Sequence, residues 1–279
     1  MNTIITPDEM RQTATQWKQN GGTVGLVPTM GFLHEGHLSL MRIARKQCDR
    51  LVVSIFVNPT QFAPNEDFED YPRDFERDCR LCQAEGVDTV FAPDAEQMYP
   101  PDASTWVIEE TLSRPLCGRA RPTHFRGVTT VVAKLFNICA PDVAVFGQKD
   151  AQQALIIQRM VRDLNVPVRI LIGPIHREAD GLAMSSRNTY LSADERQRAR
   201  SISQGLNAAL RLYENGERSA PELRRTVAAA IEEAGGVLDY VELVSRDSLR
   251  PLQIVEGKAL LAVAAYFGRT RLIDNVFLD

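Results

Sequence analysis

Short apolar runs alternate with amphipathic helical patterns along residues 1–176, and this alternation limits the possible folds more than any other feature. Five runs have the composition of buried strands: residues 24–27, 51–57, 89–92, 143–146 and 168–172. Helical patterns separate them. Strands that alternate with helices are typical of a parallel, doubly wound sheet. We therefore predict a Rossmann-like α/β domain over residues 1–176.

The pattern changes after residue 176. Ser192 with Glu195 has the spacing of a capping box, and Ser219 has the position of another helix N-cap. Two alternating runs, residues 240–244 and 259–265, predict strands. We therefore expect residues 177–279 to form a smaller C-terminal α+β domain that acts as a lid on the first domain.

Composition and charge narrow the class of protein. The 279 residues are 44% apolar and 24% charged, which is ordinary for a soluble globular chain. A net charge of −4 gives no support to sequence-independent binding of nucleic acid. No apolar run approaches the roughly 20 residues that span a bilayer, and the N-terminus lacks a signal-peptide core. We expect a cytoplasmic protein with neither a membrane nor a nucleic-acid partner.

The cysteines do not predict a disulfide framework. There are five, an odd number in a chain of this length. Cys79 and Cys82 have the spacing of a redox or zinc motif, but they lie in a helical pattern and no second pair completes a zinc site. We interpret both as structural residues.

The strongest functional signal lies between the first strand and the helix after it. Residues 28–38 read Pro-Thr-Met-Gly-Phe-Leu-His-Glu-Gly-His-Leu. In a parallel sheet such a loop lies at the carboxyl end of the strand, where the N–H groups of the next helix attract anions. His34 and His37 can point in the same direction from a first helical turn. The pattern predicts a nucleotide phosphate site that includes imidazoles.

Related motifs differ from this loop. A P-loop needs Lys and then Ser or Thr after its second glycine, where this chain has His37 and Leu38. A dinucleotide fingerprint needs three glycines in a fixed frame, and a zinc-protease helix needs histidines four residues apart. The local pattern by itself leaves open a tight turn with two surface histidines, or metal binding by His34 and His37.

Further groups suited to anions follow another strand and lie at the domain junction. Lys149 lies in the loop that follows the run at residues 143–146, so this loop and the first loop converge if the two strands are neighbours. Residues 184–187 supply two hydroxyls and a guanidinium, which suit a phosphate clamp. Gln61 and Gln153 are neutral amides that suit a hydroxy acid. Taken singly, Lys149 fits a solvated helix start better, each glutamine fits a surface amide better, and residues 184–187 fit a capped loop equally well.

Several blocks of residues together resemble one enzyme family. The blocks are residues 28–37, 56–62, 71–73, 123–127, 146–153 and 180–188, and the resemblance extends to residues 271–275. They resemble the pantothenate synthetase (pantoate–β-alanine ligase) family. The H-x-G-H element alone marks only the wider nucleotidyltransferase superfamily.

The resemblance implies an ATP-dependent ligation in two steps. The carboxylate of pantoate attacks the α-phosphorus of ATP, which gives pantoyl adenylate and pyrophosphate. The amine of β-alanine then attacks the acyl carbon and expels AMP. The resemblance also implies Mg²⁺ with ATP as co-substrate, small-molecule substrates only, and a homodimer.

The resemblance also assigns roles to individual residues. His37 is the expected catalytic acid, and His34 and Lys149 assist at the phosphates. Gln61 and Gln153 fall on pantoate positions, and Gln61 also lies near β-alanine. The residues that the resemblance implies for ATP binding are Pro28, Thr29, Met30, Gly31, His34, Gly36, His37, Gly147, Gln148, Lys149, Asp150, His176, Met184, Ser185, Ser186 and Arg187.

Three positions depart from the family pattern. Asp78 falls on an acidic position assigned to Mg²⁺, but Arg77 precedes it where some members have a second acid. Gln148 replaces a common glutamate. His176 replaces a small apolar residue and is expected to meet adenine through its backbone.

Two other functions remain as alternatives. A cytidylyltransferase would share the H-x-G-H element, but the paired glutamines and the loop at Met184 argue against it. A non-catalytic nucleotide sensor would not need His34, His37, Lys149 and Arg187 together. Residues 99–122 show no clear period, and we predict no role for them.

Overall fold

A six-stranded parallel β-sheet lies at the centre of the N-terminal part of the chain. The structure, a computed structural model, describes residues 1–64 and 66–279. The strands are β1 (Asn2–Ile4), β2 (Val24–Thr29), β3 (Arg50–Ile55), β4 (Thr89–Phe91), β5 (Val143–Gly147) and β6 (Arg169–Gly173). Their order is β1-β4-β3-β2-β5-β6, and the neighbouring pairs run parallel. This confirms the predicted α/β class.

Helices cover both faces of this sheet. They are α1 (Pro7–Gln19), α2 (Glu35–Arg45), α3 (Phe75–Ala84), α4 (Ala95–Met98), α5 (Cys117–Ala120), α6 (His124–Cys139) and α7 (Ala151–Asp163). Helices α1, α6 and α7 pack into a core on one face, and α2 and α3 into a core on the other. Along β3, Val52 enters the first core, whereas Leu51 and Val53 enter the second. Burial on both faces explains the continuous apolar runs.

The C-terminal part of the chain is α+β, as predicted. Its elements are α8 (Ala193–Ala199), α9 (Ser201–Glu214), α10 (Ala220–Glu233), β7 (Val237–Ser245), β8 (Ala259–Phe267) and β9 (Thr270–Leu278). The strands form an antiparallel sheet in the order β7-β8-β9. Leu261 and Val263 face α9 and α10, whereas Leu260 and Ala262 join the core of the parallel sheet. Strand β8 is therefore buried on both faces and connects the two parts.

Two strands were not predicted from the sequence. Strand β1 has three residues, which are too few to show a period, and it pairs with β4. Strand β9 contains the buried polar residues Asp274 and Asn275, which interrupt its apolar alternation. Among the helices of the described residues, none is long and apolar enough to cross a membrane.

The order of the strands determines where a ligand can bind. From β2 the chain continues to β3 and β4 on one side, and later to β5 and β6 on the other. Ligands of open α/β sheets bind at such a switch point, outside the carboxyl ends of the strands. The loops after β2, β3 and β5 therefore converge at one edge of the sheet.

Candidate active site

The converging loops open into a large cavity between the parallel sheet and the C-terminal part. Its volume is about 1040 Å³. Most of the predicted site residues line it: Pro28, Thr29, Met30, His34, Gly36, His37, Gln61, Gly147, Lys149, Asp150, Gln153, His176, Met184, Ser185, Ser186 and Arg187. Gly31, Gln148 and Asp78 lie outside this lining. Residues from both parts of the chain thus surround one space.

The loop after β2 is shaped by a short hydrogen-bonded turn. The Thr29 hydroxyl donates to the carbonyl of Ser54 at 2.7 Å and accepts the N–H of Gly31 at 3.1 Å. Gly31 has a φ of +80°, and a Cβ there would lie 3.0 Å from Ile55 Cγ2. Glycine tolerates this backbone region without strain. Gly31 therefore shapes the loop.

Asp78 on α3 supports the same loop from behind. Its two oxygens accept the N–H groups of Phe32 at 2.7 Å and Leu33 at 2.8 Å. Burial raises the pKa of Asp78, while these N–H groups oppose the shift. The Nη1 atom of Arg77 lies 3.7 Å from the carboxylate, and the described residues contain no cluster of three His, Cys, Asp or Glu that could hold a metal ion. This arrangement does not fit the Mg²⁺ ligand that the resemblance implied.

His34 and His37 lie side by side at the start of α2, with ring centroids 4.0 Å apart. The N–H of His34 donates to Nδ1 of His37 at 3.3 Å, so a neutral His37 carries its hydrogen on Nε2. Burial and the charge of Lys149 lower the pKa of His34 to about 4. Burial, His34 and Lys149 lower the pKa of His37 well below its ordinary value. Both rings are therefore neutral at pH 7, and His37 offers a hydrogen-bond donor at Nε2.

Gly36 and Lys149 complete the surroundings of the two imidazoles. A Cβ on Gly36 would lie 2.9 Å from the His34 ring, so a larger residue would displace that imidazole. Lys149 belongs to a 3₁₀ turn, Gln148–Asp150, that follows β5. Its ammonium is 3.8 Å from the Asp150 carboxylate, and it is close enough to lower the pKa of both histidines. An ammonium, two imidazoles and a helix N-terminus together favour an anionic ligand.

Gln61 is held in one orientation on the loop after β3. Its side-chain nitrogen contacts the Met30 sulfur, and its Oε1 accepts a hydrogen bond from Asn58 at 3.2 Å. Gln61 is only 9% exposed. Gln153 lines the same cavity from α7. Two neutral amides therefore lie in the cavity that also contains the two histidines.

Sequence reasoning missed two charged or titratable residues beside Gln61. Arg121 and His124 both bond to the Gln61 carbonyl, at 3.1 and 2.8 Å, and Arg121 also pairs with Glu66. Burial and the charge of Arg121 lower the pKa of His124 to about 4. His124 lies in the block at residues 123–127 that contributed to the family resemblance, which could have indicated it. Arg121 lies within residues 99–122, which show no clear periodicity of apolar residues.

Residues 184–190 lie over the loop after β2. The Ser186 hydroxyl is 3.4 Å from the carbonyl of Phe32. Arg187 donates two hydrogen bonds of 2.8 Å to the carboxylate of Asp67, and its guanidinium lies 5.7 Å from the centre of the Tyr71 ring. The same fork geometry suits a phosphate. An anionic ligand would therefore compete with Asp67 for Arg187.

Comparisons with known sequences agree with this geometry. The sequence model of a family described as Pantoate-beta-alanine ligase matches residues 2–277. The pantothenate synthetase of Thermotoga petrophila is 55% identical over 279 residues, and the alignment covers 100% of both chains. That of Acetivibrio thermocellus is 52% identical, again with 100% of both chains covered.

Solved structures show the same relationship. Pantothenate synthetase from Thermus thermophilus has a TM-score of 0.94 with this chain at 44% identity, and the match covers 99% of each chain. A pantoate–β-alanine ligase from Francisella tularensis, complexed with beta-gamma ATP and β-alanine, has a TM-score of 0.80 at 30% identity, with 99% of this chain and 97% of that chain covered. The chain therefore belongs to the pantoate–β-alanine ligase family.

Proposed function

We propose that the cavity joins pantoate to β-alanine with ATP as co-substrate. The observation that carries the proposal is the meeting of His34, His37 and Lys149 with Gln61 and Gln153 in one cavity. In the first step a carboxylate oxygen of pantoate bonds to the α-phosphorus, and the bond to pyrophosphate breaks. In the second step the nitrogen of β-alanine bonds to the acyl carbon, AMP leaves, and the amine gives up a proton.

The first loop and Lys149 would act on the triphosphate. Negative charge develops on the phosphate oxygens as the α-phosphorus is attacked, so donors that are already in place stabilise the transition state more than the substrate. The Nε2–H of His37 is such a donor. Because a neighbouring anion favours the protonated form of an imidazole, bound phosphates would raise the pKa of His37 towards neutrality. His37 would then serve as the catalytic acid.

The side-chain amides of Gln61 and Gln153 would act on pantoate. Residues 184–190, here called the closing loop, would act on the phosphates. Gln61 and Gln153 can donate to the pantoate carboxylate and accept from its hydroxyls. Arg187 would exchange Asp67 for phosphate oxygens, which keeps its guanidinium paired throughout. Ser185 and Ser186 lie beside it in the same loop. Pantoate would thus be oriented by the loop after β3 and by α7, and the triphosphate covered by the C-terminal part of the chain.

We infer that Mg²⁺ enters with ATP and remains on its phosphate oxygens. There it would neutralise part of the phosphate charge. Both oxygens of Asp78 already accept backbone N–H groups, and Arg77 places a positive charge beside them. We assign no step to a metal ion bound by Asp78.

We also propose that residues 177–279 act as a lid domain on residues 1–176, that the protein is a homodimer, and that it works in the cytoplasm. Family membership supports the dimer. The five cysteines are all free, which suits a reducing compartment. Analytical ultracentrifugation tests the assembly, and a monomer at every concentration would contradict the dimer. Cell fractionation tests the compartment.

The direct test of the reaction follows each product separately. Purified protein is mixed with ATP, Mg²⁺ and pantoate, and pyrophosphate is measured before and after β-alanine is added. We expect pyrophosphate to require pantoate and AMP to require β-alanine as well. Replacement of ATP by CTP, the nucleotide of a cytidylyltransferase, is expected to abolish both. Absence of pantoate-dependent pyrophosphate would overturn the proposed function.

A further inference from the structure

A buried asparagine on the C-terminal sheet holds the turn that carries Lys149. Asn275 on β9 is 2% exposed. Its Nδ2 donates to the backbone carbonyls of Gln148 at 2.9 Å and Lys149 at 3.1 Å, and its Oδ1 accepts from the side-chain Nε2 of Gln148 at 3.3 Å. Both hydrogens and the oxygen of one amide are therefore used on a single turn.

Asn275 is itself held by two charged residues. Its backbone N–H donates to Asp274 at 2.8 Å, and the buried Asp274 carboxylate accepts two bonds from Arg177, at 2.6 and 3.1 Å. Arg177 also donates to the carbonyl of Gly181 at 3.3 Å. Gly181 lies shortly before the closing loop at Met184. Hydrogen bonds thus run from the base of the closing loop to the turn at Lys149.

The turn lacks local support of this kind. Gly147, which precedes the turn, has no side chain to cap it, and Asp150, which precedes α7, makes no side-chain capping bond among the described residues. Asn275 is 126 positions from Lys149 and 127 from Gln148 in the sequence. The Asn275 side chain instead donates to the backbone carbonyls of Gln148 and Lys149, acceptors that need a partner when they are shielded from water.

We propose that Asn275 is a positioning residue for adenylate formation, and that Asp274 and Arg177 position Asn275. This inference rests on the proposed function. The asparagine fixes the turn that presents Lys149 to the triphosphate. The C-terminal part of the chain thereby contributes to the first chemical step through the backbone of the N-terminal part. In the second step pyrophosphate has left, so the contact of Lys149 with its phosphates is no longer needed.

The variants Asn275→Ala and Asn275→Ser test this role. Alanine removes all three bonds, whereas serine retains a hydroxyl donor and is expected to cause a smaller loss. For Asn275→Ala we expect kcat/KM for ATP in pantoate-dependent pyrophosphate release to fall about 10-fold to 100-fold, the scale of a misplaced catalytic group. The reaction of supplied pantoyl adenylate with β-alanine should keep its wild-type rate.

A double-mutant cycle separates positioning from general destabilisation. If Asn275 acts through Lys149, Asn275→Ala in a Lys149→Ala background should cause no further loss in kcat/KM for ATP. A purely structural role would give additive losses. Leu261→Ala is the matched stability control, because Leu261 is fully buried in the same sheet but faces α9 and α10. Leu261→Ala should lower the melting temperature without a specific loss in kcat/KM for ATP.

Asn137→Ala controls for the substitution itself, because the side chain of this exposed asparagine on α6 bonds, among the described residues, only to the carbonyl of Ala133, at 3.0 Å. Its kinetics should match those of the wild type. Unchanged ATP kinetics in both Asn275 variants, equal losses in both half-reactions, or additivity with Lys149→Ala would each overturn the role of Asn275. Failure of the wild-type protein to release pantoate-dependent pyrophosphate would instead overturn the proposed function.

Discussion

His34 and His37 have different surroundings, which suit different tasks. Nδ1 of His37 accepts a backbone N–H, so the tautomer and the orientation of the ring are fixed before substrate binds. Nδ1 of His34 is buried and has no hydrogen-bond partner among the described residues. Because an unsatisfied buried polar atom costs about 1–3 kcal/mol, we expect this atom to bond to substrate or water. These surroundings agree with a positioning role for His34 and a chemical role for His37.

The substitution His37→Ala tests that division. We expect pantoate-dependent pyrophosphate release to fall by about 100-fold or more, as when one donor to a developing oxyanion is removed. His37→Gln should recover part of the rate, because a glutamine amide can place a donor near the position of Nε2. Circular dichroism and the melting temperature check that the fold is intact. Near-wild-type rates in His37→Ala would remove this residue from the mechanism.

The buried histidines should make stability depend on pH. The folded pKa values of His34 and His124 are about 4 and that of His37 is also lowered, compared with ~6.5 for a histidine in an unfolded chain. The unfolded chain therefore binds more protons between these values. The stabilising contribution is complete above pH ~6.5 and is lost as the pH falls towards 4, by up to about 1.4 kcal/mol per pH unit for each histidine.

Urea denaturation at pH 7.5 and pH 5 measures this dependence. We expect a smaller free energy of unfolding at pH 5 for the wild type. His124→Gln should reduce the difference between the two pH values, since it removes one of the groups that titrate. An identical difference in the variant would show that His124 does not contribute.

Asp78→Asn distinguishes support of the loop from metal binding. The variant keeps the shape of the side chain but turns an NH₂ group towards one of two backbone donors. We expect a loss of about 1–3 kcal/mol in stability and a higher KM for ATP. Added Mg²⁺ should not restore the KM; recovery at high Mg²⁺ would favour a metal-binding role instead. Asp8→Asn is the control, because the Asp8 side chain is 81% exposed.

At the scale of elements, the 3₁₀ turn Ser186–Tyr190 brings Arg187 to the cavity. Charged hydrogen bonds contribute about 1.5–3 kcal/mol each, so Arg187→Ala should lower kcat/KM for ATP by about 10-fold or more. The kcat/KM of Arg187→Lys should lie between those of the wild type and Arg187→Ala, because lysine keeps the charge but lacks the bidentate fork. Unchanged kinetics in Arg187→Ala would mean that this loop does not close on phosphate.

A second ion-paired arginine provides the control for this experiment. Arg11 pairs with Asp8 at 2.9 Å, and its side chain is 56% exposed on α1. Arg11→Ala removes a guanidinium and an ion pair at a residue that does not line the cavity. Its ATP kinetics should equal those of the wild type.

At the scale of the whole molecule, the two parts of the chain share a core. Tyr240, Leu260, Ala262 and Ala264 of the antiparallel sheet belong to the same apolar cluster as α6 and α7. The opposite face of this sheet packs on α9 and α10. Separation of the parts would expose apolar surface on both, so we expect them to unfold together.

Differential scanning calorimetry tests this expectation. A single transition whose calorimetric and van't Hoff enthalpies agree would show one cooperative unit. Leu260→Ala should lower the temperature of the whole transition, because Leu260 lies fully buried in the shared core. Two resolved transitions would contradict shared unfolding and would favour an independent lid.

The alternation of apolar runs and helices was sufficient to predict the parallel sheet. Its central strands are buried on both faces and form continuous apolar runs, whereas its helices are buried on one face and show a helical period. Strands β1 and β9 were missed because the first is too short and the second carries buried Asp274 and Asn275. The polar residues of β9 form hydrogen bonds to the turn at Lys149 and to Arg177. These partners are distant in the sequence, so no local pattern shows why a buried strand carries polar residues.

The sequence by itself indicated many of the residues that line the cavity, because residue types, loop positions and the family resemblance point to phosphate binding, but it missed Arg121 and His124. Only the tertiary structure decided how they are held. Asp78 supports the backbone at Phe32 and Leu33, and Asn275 holds the turn at Lys149. The partners are 45 and 126 positions apart in the sequence. Hydrogen bonds depend on distance and direction in space, and chain folding alone brings such pairs together.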